Sequence, residues 1–360
     1  MSTISFARGI PAPECLPVAE LADCAKAALE RDGRVALSYG STLGYEPLRE
    51  WIAERHRVDA GRVVVTNGSL QGFHFVLESL GARVRILIER PTYDRPRKIL
   101  AGRPGGFAEV ALDADGLGTD ELEPMLGVNS GPALLYTIPT FQNPTGLTLG
   151  AERRRRLAEL ARGGALHVLE DDPYGLVRFE GRSLASVFEL AGGENVIYSS
   201  SFSKTVAPGL RVGYLIVPAS LAAELEPRVA STYITPALLA QATVHEFLRR
   251  GLFEPNLERV KRILRERRDS MLAALERELA GHAHWNRPEG GYFLWLELAE
   301  AVNAAQLLAR ATRAGVTFVP GVDFGGAPSS ARLAFSFVSP SEIEEGVRRL
   351  ARLAAAPAAV

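Results

Sequence analysis

The chain has 360 residues, of which 47% are hydrophobic and 23% are charged, and its formal net charge is -1. At roughly 150 residues per domain, this length predicts about two domains that each bury a core. The near-neutral charge argues against a nucleic-acid partner, and no apolar run approaches the roughly 18 residues of a membrane span. The first ten residues lack a signal-peptide pattern, so we expect a cytoplasmic protein. Two cysteines, Cys15 and Cys24, are too few for a disulfide framework or a zinc site, and no metal is expected.

Short β-rich runs recur through the first part of the chain, with helical patterns between them. The predicted strands are residues 63–66, 84–89, 133–138, 165–170, 195–199 and 214–217. The predicted helices between them include residues 69–80, 152–162 and 184–191. Most of these strands show little alternation of apolar and polar residues, as expected when both faces of a strand are buried. The pattern predicts an α/β fold with a mostly parallel sheet that is flanked by helices.

After Pro218 the pattern changes to longer helices. Residues 255–279 have apolar side chains near helical spacing, and strand-like runs at 292–298 and 331–338 enclose a predicted helix at 301–314. This part of the chain is typical of a smaller α+β unit. We therefore expect a large domain at 40–250 and a small domain formed by 1–39 together with 251–360.

Two runs rich in arginine, residues 153–156 and 261–268, fall on predicted helices, and we expect both to be solvated helix faces. The basic residues as a whole are unevenly divided, with 37 arginines and only four lysines. The lysines are Lys26, Lys98, Lys204 and Lys261. Because an arginine cannot be deprotonated in a protein, any chemistry that needs a neutral amine must use one of these four.

Five segments with chemically useful side chains each follow a predicted strand. In residues 199–204 a strand ends in hydroxyls and then Lys204, with Arg211 seven residues later. Ligands of open α/β sheets bind beyond the carboxyl ends of the strands, where Ser201, Ser203 and Arg211 would together hold a phosphate. Considered alone, the segment is also compatible with an ordinary surface loop.

The other four segments lie at 170–174, 141–146, 67–71 and 90–93. In that order, the four segments offer a carboxylate, an asparagine in a turn, the free N–H groups at the start of a helix, and an aromatic ring. Each is weak by itself. Together the five segments supply a phosphate cradle, a ring to stack on a cofactor, a carboxylate for a ring nitrogen and an amine. Those are the parts that hold pyridoxal 5'-phosphate.

With these motifs in this order, the sequence resembles the fold-type I pyridoxal-phosphate enzymes of the class I/II aminotransferase family, and most closely the 2-aminoadipate and multi-substrate aminotransferases. The likeness runs from residues 5–11 through 38–49, the N-P-T-G motif at 143–146 and the S-F-S-K and P-G-L-R motifs to 288–292 and 331–335. It implies a large cofactor-binding domain, a smaller α+β domain and transfer of an amino group from an L-amino acid to a 2-oxo acid.

The resemblance also implies roles for the residues that match the motifs. Lys204 would form a Schiff base with the cofactor and later move a proton, while Asp171 would keep the ring nitrogen protonated. Tyr174 and Asn143 would hydrogen-bond the ring hydroxyl, and Tyr93 would stack on the ring. The residues implied as phosphate ligands are Ser69, Leu70, Ser201, Ser203 and Arg211.

For the substrate, the resemblance implies that Arg332 binds the α-carboxylate through a bidentate pair, helped by Asn143 and the backbone of Gly9. Tyr39 would reach the cofactor phosphate and substrate pocket of a neighbouring subunit, which implies a homodimer with shared active sites. Arg8 departs from the family, which usually has a small residue there. It would pair with an acidic substrate side chain, restrict the pocket or point outward.

Other functions share parts of this pattern. Relatives with the same motifs carry out β- or γ-elimination, replacement, cyclisation or carbon–carbon bond formation in specialised metabolism. Aminotransferase-like domains also serve transcription regulators, but those have an N-terminal winged-helix domain, which we do not expect here. A nicotinamide dehydrogenase is not favoured, because no G-x-G-x-x-G motif lies between an early strand and helix.

Overall fold

The computed structural model describes residues 3–81, 83–127, 131–164 and 166–355, which form fourteen strands and twelve α-helices. The strands are β1 (Ile4–Ser5), β2 (Val63–Thr66), β3 (Arg85–Arg90), β4 (Ala108–Asp113), β5 (Gly116–Leu117), β6 (Ala133–Thr137), β7 (Leu166–Asp171), β8 (Val196–Ser201), β9 (Gly213–Ile216), β10 (Ala283–Trp285), β11 (Phe293–Leu298), β12 (Val316–Thr317), β13 (Val319–Pro320) and β14 (Ser330–Ala334). The helices are α1 (Val18–Ala36), α2 (Glu46–His56), α3 (Ser69–Leu80), α4 (Asp94–Ala101), α5 (Thr119–Met125), α6 (Ala151–Arg162), α7 (Val187–Ala191), α8 (Ala219–Tyr233), α9 (Leu238–Arg249), α10 (Phe253–Leu279), α11 (Ala304–Arg313) and α12 (Pro340–Ala355). Ala165, the first residue of a predicted strand, and residues 1–2 and 356–360 of the predicted small domain lie outside the described residues.

Eight strands form one sheet in the order β2-β9-β8-β7-β6-β3-β4-β5. The neighbours from β8 to β4 are all parallel, whereas β9 runs antiparallel to both β8 and β2. As a result, five strands end at the same edge of the sheet, namely β2, β3, β6, β7 and β8. Strand β9 begins at that edge. The predicted α/β fold with a mostly parallel sheet is confirmed.

The sheet separates two apolar cores. Successive residues of β2 alternate between them, with Val63 and Val65 in one core and Val64 in the other. The same alternation places Leu135 of β6 in the first core and Leu134 in the second. Both sets are fully buried, which explains why these strands have continuous apolar sequences and no polar face.

A smaller antiparallel sheet has the order β10-β11-β14-β13. The beginning of the chain joins it, because β1 pairs with β12 and the carbonyl of Phe6 accepts a hydrogen bond from the amide of Ala334 at 2.8 Å. Helix α10 packs against α12 beside this sheet, whereas α1 packs against α9. The division into domains at 40–250 and at 1–39 with 251–360 stays a prediction.

The β4–β5 hairpin and helix α1 were not among the predicted elements. Strand β4 lies near the sheet edge, where Val110 is its only fully buried residue, so its sequence lacks the continuous apolar run of the inner strands. The predicted helix at 184–191 is shorter in the structure, because Ser186 caps α7. Its hydroxyl accepts from the amide of Glu189, whose carboxylate accepts in return from the amide of Ser186.

The expectation that both arginine-rich runs are solvated is wrong for three residues. Arg154, Arg267 and Arg268 are buried, with exposures of 1%, 3% and 0%. Arg154 donates to the carbonyls of Leu149 and Pro139, each at 2.8 Å. A guanidinium has five donors, so it can satisfy several carbonyl groups that turn inward. The repeated arginines gave no signal to separate the buried residues from the solvated ones. No helix in the described part of the chain is long and apolar enough to cross a membrane.

We predict that Arg154→Leu lowers the free energy of unfolding by about 3–5 kcal/mol, because the carbonyl groups and the buried Glu170 at 3.9 Å lose their partner. Urea unfolding followed by circular dichroism measures the change. The neighbouring exposed Arg155 provides the matched control, since Arg155→Leu is expected to change stability by less than about 0.5 kcal/mol. Equal effects of the two substitutions would contradict the structural role assigned to Arg154.

Candidate active site

The strand ends converge on a cavity of about 490 Å³. Thirteen of the residues predicted from sequence line it: Arg8, Gly9, Ser69, Leu70, Tyr93, Asn143, Asp171, Tyr174, Ser201, Ser203, Lys204, Arg211 and Arg332. Segments that are far apart in sequence meet here because β2, β3, β6, β7 and β8 end at one edge of the sheet. Arg332 comes from β14 of the small sheet, and Arg8 and Gly9 come from the segment after β1.

Tyr39 is the one predicted site residue that does not line this cavity. Its side chain is 81% exposed. Tyr39 lies outside the lining of the cavity in its own chain, so its expected role would require a second subunit.

Asp171, the last residue of β7, is the buried carboxylate of the site, with 6% exposure. Its two oxygens accept hydrogen bonds from the hydroxyl of Tyr136 at 2.8 Å and the hydroxyl of Ser199 at 3.2 Å. Burial raises the pKa of Asp171 to about 6, although both hydrogen bonds oppose that rise. A cation placed against this carboxylate would stabilise its charged form.

Lys204 follows β8, and its amine donates to the carbonyl of Gly9 at 2.8 Å. The amine nitrogen also lies 5.3 Å from the ring centre of Tyr292 and 5.8 Å from that of Tyr174. Burial, with further contributions from the charges of Arg332 and Arg211, lowers the pKa of Lys204 to about 8. Near physiological pH a larger fraction of this amine is therefore neutral than in an ordinary lysine, and a nucleophile or base requires the neutral form.

Arg332 forms the opposite wall of the cavity and is 8% exposed. It donates to Asn143 Oδ1 and to the carbonyl of Ala7, both at 2.9 Å, and its guanidinium lies between the rings of Phe293 and Phe324 at 4.3 and 4.8 Å. Its buried Nε has no hydrogen-bond partner among the described residues. A buried donor without a partner is costly, so this group is suited to receive the carboxylate of a ligand.

The residues predicted to bind a phosphate also line this cavity. Ser69 begins α3, whose first amides have no partners within the helix. The Ser201 hydroxyl donates to that of Ser203 at 2.7 Å, and Arg211 donates to the backbone carbonyls of Pro208 and Asn67. Gly68 precedes α3 at a φ of +92°, and a Cβ there would collide with the guanidinium of Arg211. The close approach of Arg211 to this backbone therefore needs glycine at position 68.

Two tyrosines define the remaining walls. Tyr174 is 4% exposed, and burial raises the pKa of its hydroxyl, which keeps it a neutral hydrogen-bond donor. Tyr93 stands immediately before α4 and also has a raised pKa because of burial. Arg8 is exposed at the rim, where its guanidinium lies 4.9 Å from the ring centre of Phe337. No carboxylate in the described part of the chain pairs with Arg8.

Sequence reasoning missed several residues that hold the site together. Tyr136 and Ser199 hydrogen-bond Asp171, and the Tyr292 hydroxyl donates to the backbone carbonyl of Lys204 at 2.9 Å. A hydroxyl within an otherwise apolar buried strand, as in Tyr136, was the available signal, because a buried hydroxyl needs a partner. The two rings beside Arg332 come from separate elements, and no sequence spacing relates them to it.

This set of donors fits pyridoxal 5'-phosphate. Hydroxyls, helix amides and Arg211 match a phosphate, the buried Asp171 matches a protonated ring nitrogen, and the Lys204 amine matches an aldehyde. The remaining open donor, Arg332 Nε, suits a carboxylate that is not part of the cofactor. The fold and the site together define a fold-type I pyridoxal-phosphate-dependent enzyme.

Comparison with known proteins gives the family. The model of aminotransferase class I and II matches residues 15–350. A 2-aminoadipate transaminase of Thermus thermophilus is 39% identical over 97% of this chain and 89% of the relative, and an aromatic-amino-acid aminotransferase of Thermococcus litoralis is 33% identical over 97% and 87%. The chain belongs to the class I and II aminotransferases.

Solved structures agree. The α-aminoadipate aminotransferase from Thermus thermophilus, in complex with N-(5'-phosphopyridoxyl)-L-leucine, has a TM-score of 0.90 and 38% identity over 98% of this chain and 92% of that one. The kynurenine aminotransferase of Pyrococcus horikoshii has a TM-score of 0.91 and 31% identity over 98% and 91%. The chain is a pyridoxal-phosphate-dependent aminotransferase, and the alternative reactions on amino acids are not favoured.

We predict that the reactivity of Lys204 rises through pH 8 in the apoenzyme, because its pKa is lowered to about 8 and only the neutral amine attacks an aldehyde. Methylation with formaldehyde and cyanoborohydride, followed by peptide mass spectrometry, measures the initial rate at each pH. Below the midpoint the rate is expected to fall about tenfold per pH unit. Lys204→Arg identifies the modified peptide, and a midpoint near the usual lysine value of about 10.4 would contradict the prediction.

Proposed function

We propose that this enzyme transfers the amino group of an L-amino acid to a 2-oxo acid in two half-reactions, with Lys204 as the residue that moves the proton. One observation carries the proposal. A partly buried amine whose pKa is lowered to about 8 lies in the same cavity as a guanidinium with an open donor and a buried carboxylate. These three groups match an α-amino acid and the cofactor that acts on it.

Each wall of the cavity has a separate task in this proposal. Arg332, oriented by Asn143, binds the substrate carboxylate and fixes the α-carbon within reach of Lys204. Pyridoxal phosphate, when bound, supplies an aldehyde and a ring that accepts electrons. Asp171 keeps the ring nitrogen protonated, while Tyr174 and Asn143 hydrogen-bond its hydroxyl and Tyr93 stacks on the ring.

The phosphate end of the cavity anchors the cofactor in this proposal. Ser69 and Leu70 provide backbone amides at the start of α3, and Ser201, Ser203 and Arg211 provide side-chain donors. A phosphate held by a helix start and a guanidinium keeps the reacting groups in place through both half-reactions.

For the substrate, the relatives direct the first choice of donors. Their names specify 2-aminoadipate, aromatic amino acids and kynurenine, so these amino acids are the donors that we expect to react. The exposed Arg8 and the Gly9 backbone border the part of the cavity where a substrate side chain would extend. We place Arg8 among the substrate-binding residues on that basis.

The test uses the lysine itself. Lys204→Arg preserves the positive charge but cannot form a Schiff base, so amino transfer is expected to fall at least about 10³-fold. The purified variant is also expected to lose the cofactor chromophore after borohydride treatment and denaturation. Lys26→Arg, at an exposed position of α1 outside the cavity, is the matched control and should retain wild-type activity.

Transamination is distinguished from other reactions by its products. A 2-oxo acid must form with equal transfer of the amino group to the second 2-oxo acid, measured by mass spectrometry with a ¹⁵N-labelled donor. Release of free ammonia in place of transfer would contradict the proposed function. Retention of full activity by Lys204→Arg would contradict the role of the lysine.

We also propose that the enzyme is a homodimer in which Tyr39 completes the site of the neighbouring subunit. Four large apolar or aromatic residues are exposed on two segments of the chain: Val35 (52%), Leu37 (70%), Tyr39 (81%) and Ile234 (59%). The two segments that carry them are joined where the amide of Gly40 donates to the hydroxyl of Thr235 at 3.4 Å. Several exposed apolar side chains on adjoining segments are typical of a subunit interface.

Subunit complementation tests this arrangement. Tyr39→Ala and Lys204→Arg are each expected to be inactive, yet a hybrid dimer of the two contains one site with both native residues. An equal mixture that exchanges subunits freely is therefore expected to regain about a quarter of the wild-type activity. If Tyr39 acts within its own subunit, no hybrid site is complete and the mixture stays inactive. Tyr39→Phe provides a milder variant that retains the ring at the interface.

We propose that the enzyme takes part in amino acid metabolism, in a biosynthetic role, and that it is located in the cytoplasm. Both cysteines are buried free thiols, as expected for a protein of a reducing compartment. We expect its partners to be small amino acids and 2-oxo acids, and we expect neither a nucleic acid nor a membrane as a partner.

A further inference from the structure

A second cavity of about 420 Å³ lies between the two sheets and borders the turn at 141–147. Two of the three tryptophans of the chain, Trp285 and Trp295, line it together with the apolar side chains of Leu112 and Leu147. Its volume is close to that of the active-site cavity, and its walls are mainly aromatic and aliphatic. Cavities of this size and composition, at the junction of two parts of a protein, are typical small-molecule sites.

The charges around this cavity are unequal. Asp113 and Glu297 both line it, but Asp113 already binds Arg153 through two contacts of 2.7 Å. Glu297 pairs with no cation within the described ranges. His284 stands opposite Glu297 in the β10–β11 ladder without a hydrogen bond to it in that part of the chain. One uncompensated carboxylate therefore remains beside two tryptophans.

The cavity adjoins the active site through two residues. Trp295 stands opposite Arg332 in the ladder between β11 and β14. Asn286 accepts a hydrogen bond from the amide of Trp295 and donates to the carbonyl of Thr145, both at 2.8 Å. A molecule in the cavity would contact Trp295, Asn286 and Thr145, and so the same turn that carries Asn143.

We propose that this second cavity is a binding site for a small organic cation with an apolar body. A cation gains from the faces of tryptophan rings, and the apolar body of the ligand fills the space between Leu112 and Leu147. Glu297 supplies the counter-charge that neither an anion nor a neutral ligand would use. The cavity is separate from the substrate site, because no residue lines both.

Benzyltrimethylammonium is the probe, because its quaternary nitrogen cannot condense with the cofactor aldehyde. Isothermal titration calorimetry of the holoenzyme is expected to give a dissociation constant of about 1 mM or lower. The neutral 2-phenylethanol, which has a ring of the same kind but no charge, is expected to bind about tenfold more weakly.

Two exposed glutamates give a matched pair of variants. Glu297→Gln removes the charge at the cavity and is expected to weaken binding of the probe about five- to tenfold. Glu300→Gln removes the same charge three residues away, outside the cavity, and should leave affinity within about twofold of wild type. Trp285→Leu tests the aromatic contribution and is expected to weaken binding as well. Thermal unfolding verifies that each variant is folded.

The proposal is overturned if the probe gives no binding heat at about 10 mM, since a cation in so large an aromatic cavity would then gain nothing. It is also overturned if Glu297→Gln binds as tightly as Glu300→Gln, or if the neutral compound matches the cation. These outcomes do not depend on amino transfer, so they leave the proposed function untouched.

Discussion

The site depends on one buried guanidinium. Arg332 is removed from water, which lowers its pKa to about 10, and the surrounding structure replaces that water with Asn143, the carbonyl of Ala7 and two aromatic rings. These contacts come from the turn after β6, from the segment after β1 and from the small sheet, so one side chain joins the three parts of the chain that surround the cavity. Removing a charge from water is costly, and this cost is offset only while all three parts of the chain keep their contacts with the guanidinium. The arrangement of Arg332 that we propose for binding the substrate carboxylate therefore also holds these three parts of the chain together.

The chemistry of Lys204 follows from the same crowding of charge. Burial contributes most to its lowered pKa, and the positive charges of Arg332 and Arg211 lower it further, whereas Asp171 opposes the change. For Asp171, burial raises the pKa, whereas the hydrogen bonds from Tyr136 and Ser199 stabilise the charged carboxylate and oppose that rise. A lysine amine with a lowered pKa is suited to passing a proton at ordinary pH, whereas a cation beside Asp171 would hold that carboxylate in its charged form. Arginine could not replace Lys204, although this chain uses arginine almost everywhere else.

Sequence alone predicted the inner strands, because buried parallel strands have continuous apolar sequences. It also predicted that the candidate site residues follow the carboxyl ends of these strands, which lie at one edge of the sheet. It did not predict β4, whose exposed edge position removes that pattern, or the burial of Arg154, which looks like its exposed neighbour Arg155. The residues that we propose as phosphate and carboxylate ligands were predicted from motifs. Motifs did not predict Phe324, which packs against Arg332, or Tyr136, which hydrogen-bonds Asp171, because both contacts arise from tertiary packing. Tyr39 stays a prediction, because its partner belongs to a second subunit.

The turn at 141–147 explains why Asn143 can orient Arg332 before any ligand arrives. Buried Glu89 accepts hydrogen bonds from Thr137, from the amide of Ile138 and from the side chain of Gln142, and its pKa is raised by burial to about 7. Gln142 in turn donates to the carbonyl of Pro91 and accepts from the amide of Thr145, each at 2.9 Å. The turn is thus tied to the end of β3 on one side and, through Asn286, to the small sheet on the other. Because the turn is held from two sides, the hydrogen bond from Arg332 to Asn143 is already in place. In the role that we propose for Arg332, binding of a substrate would therefore not have to order this turn.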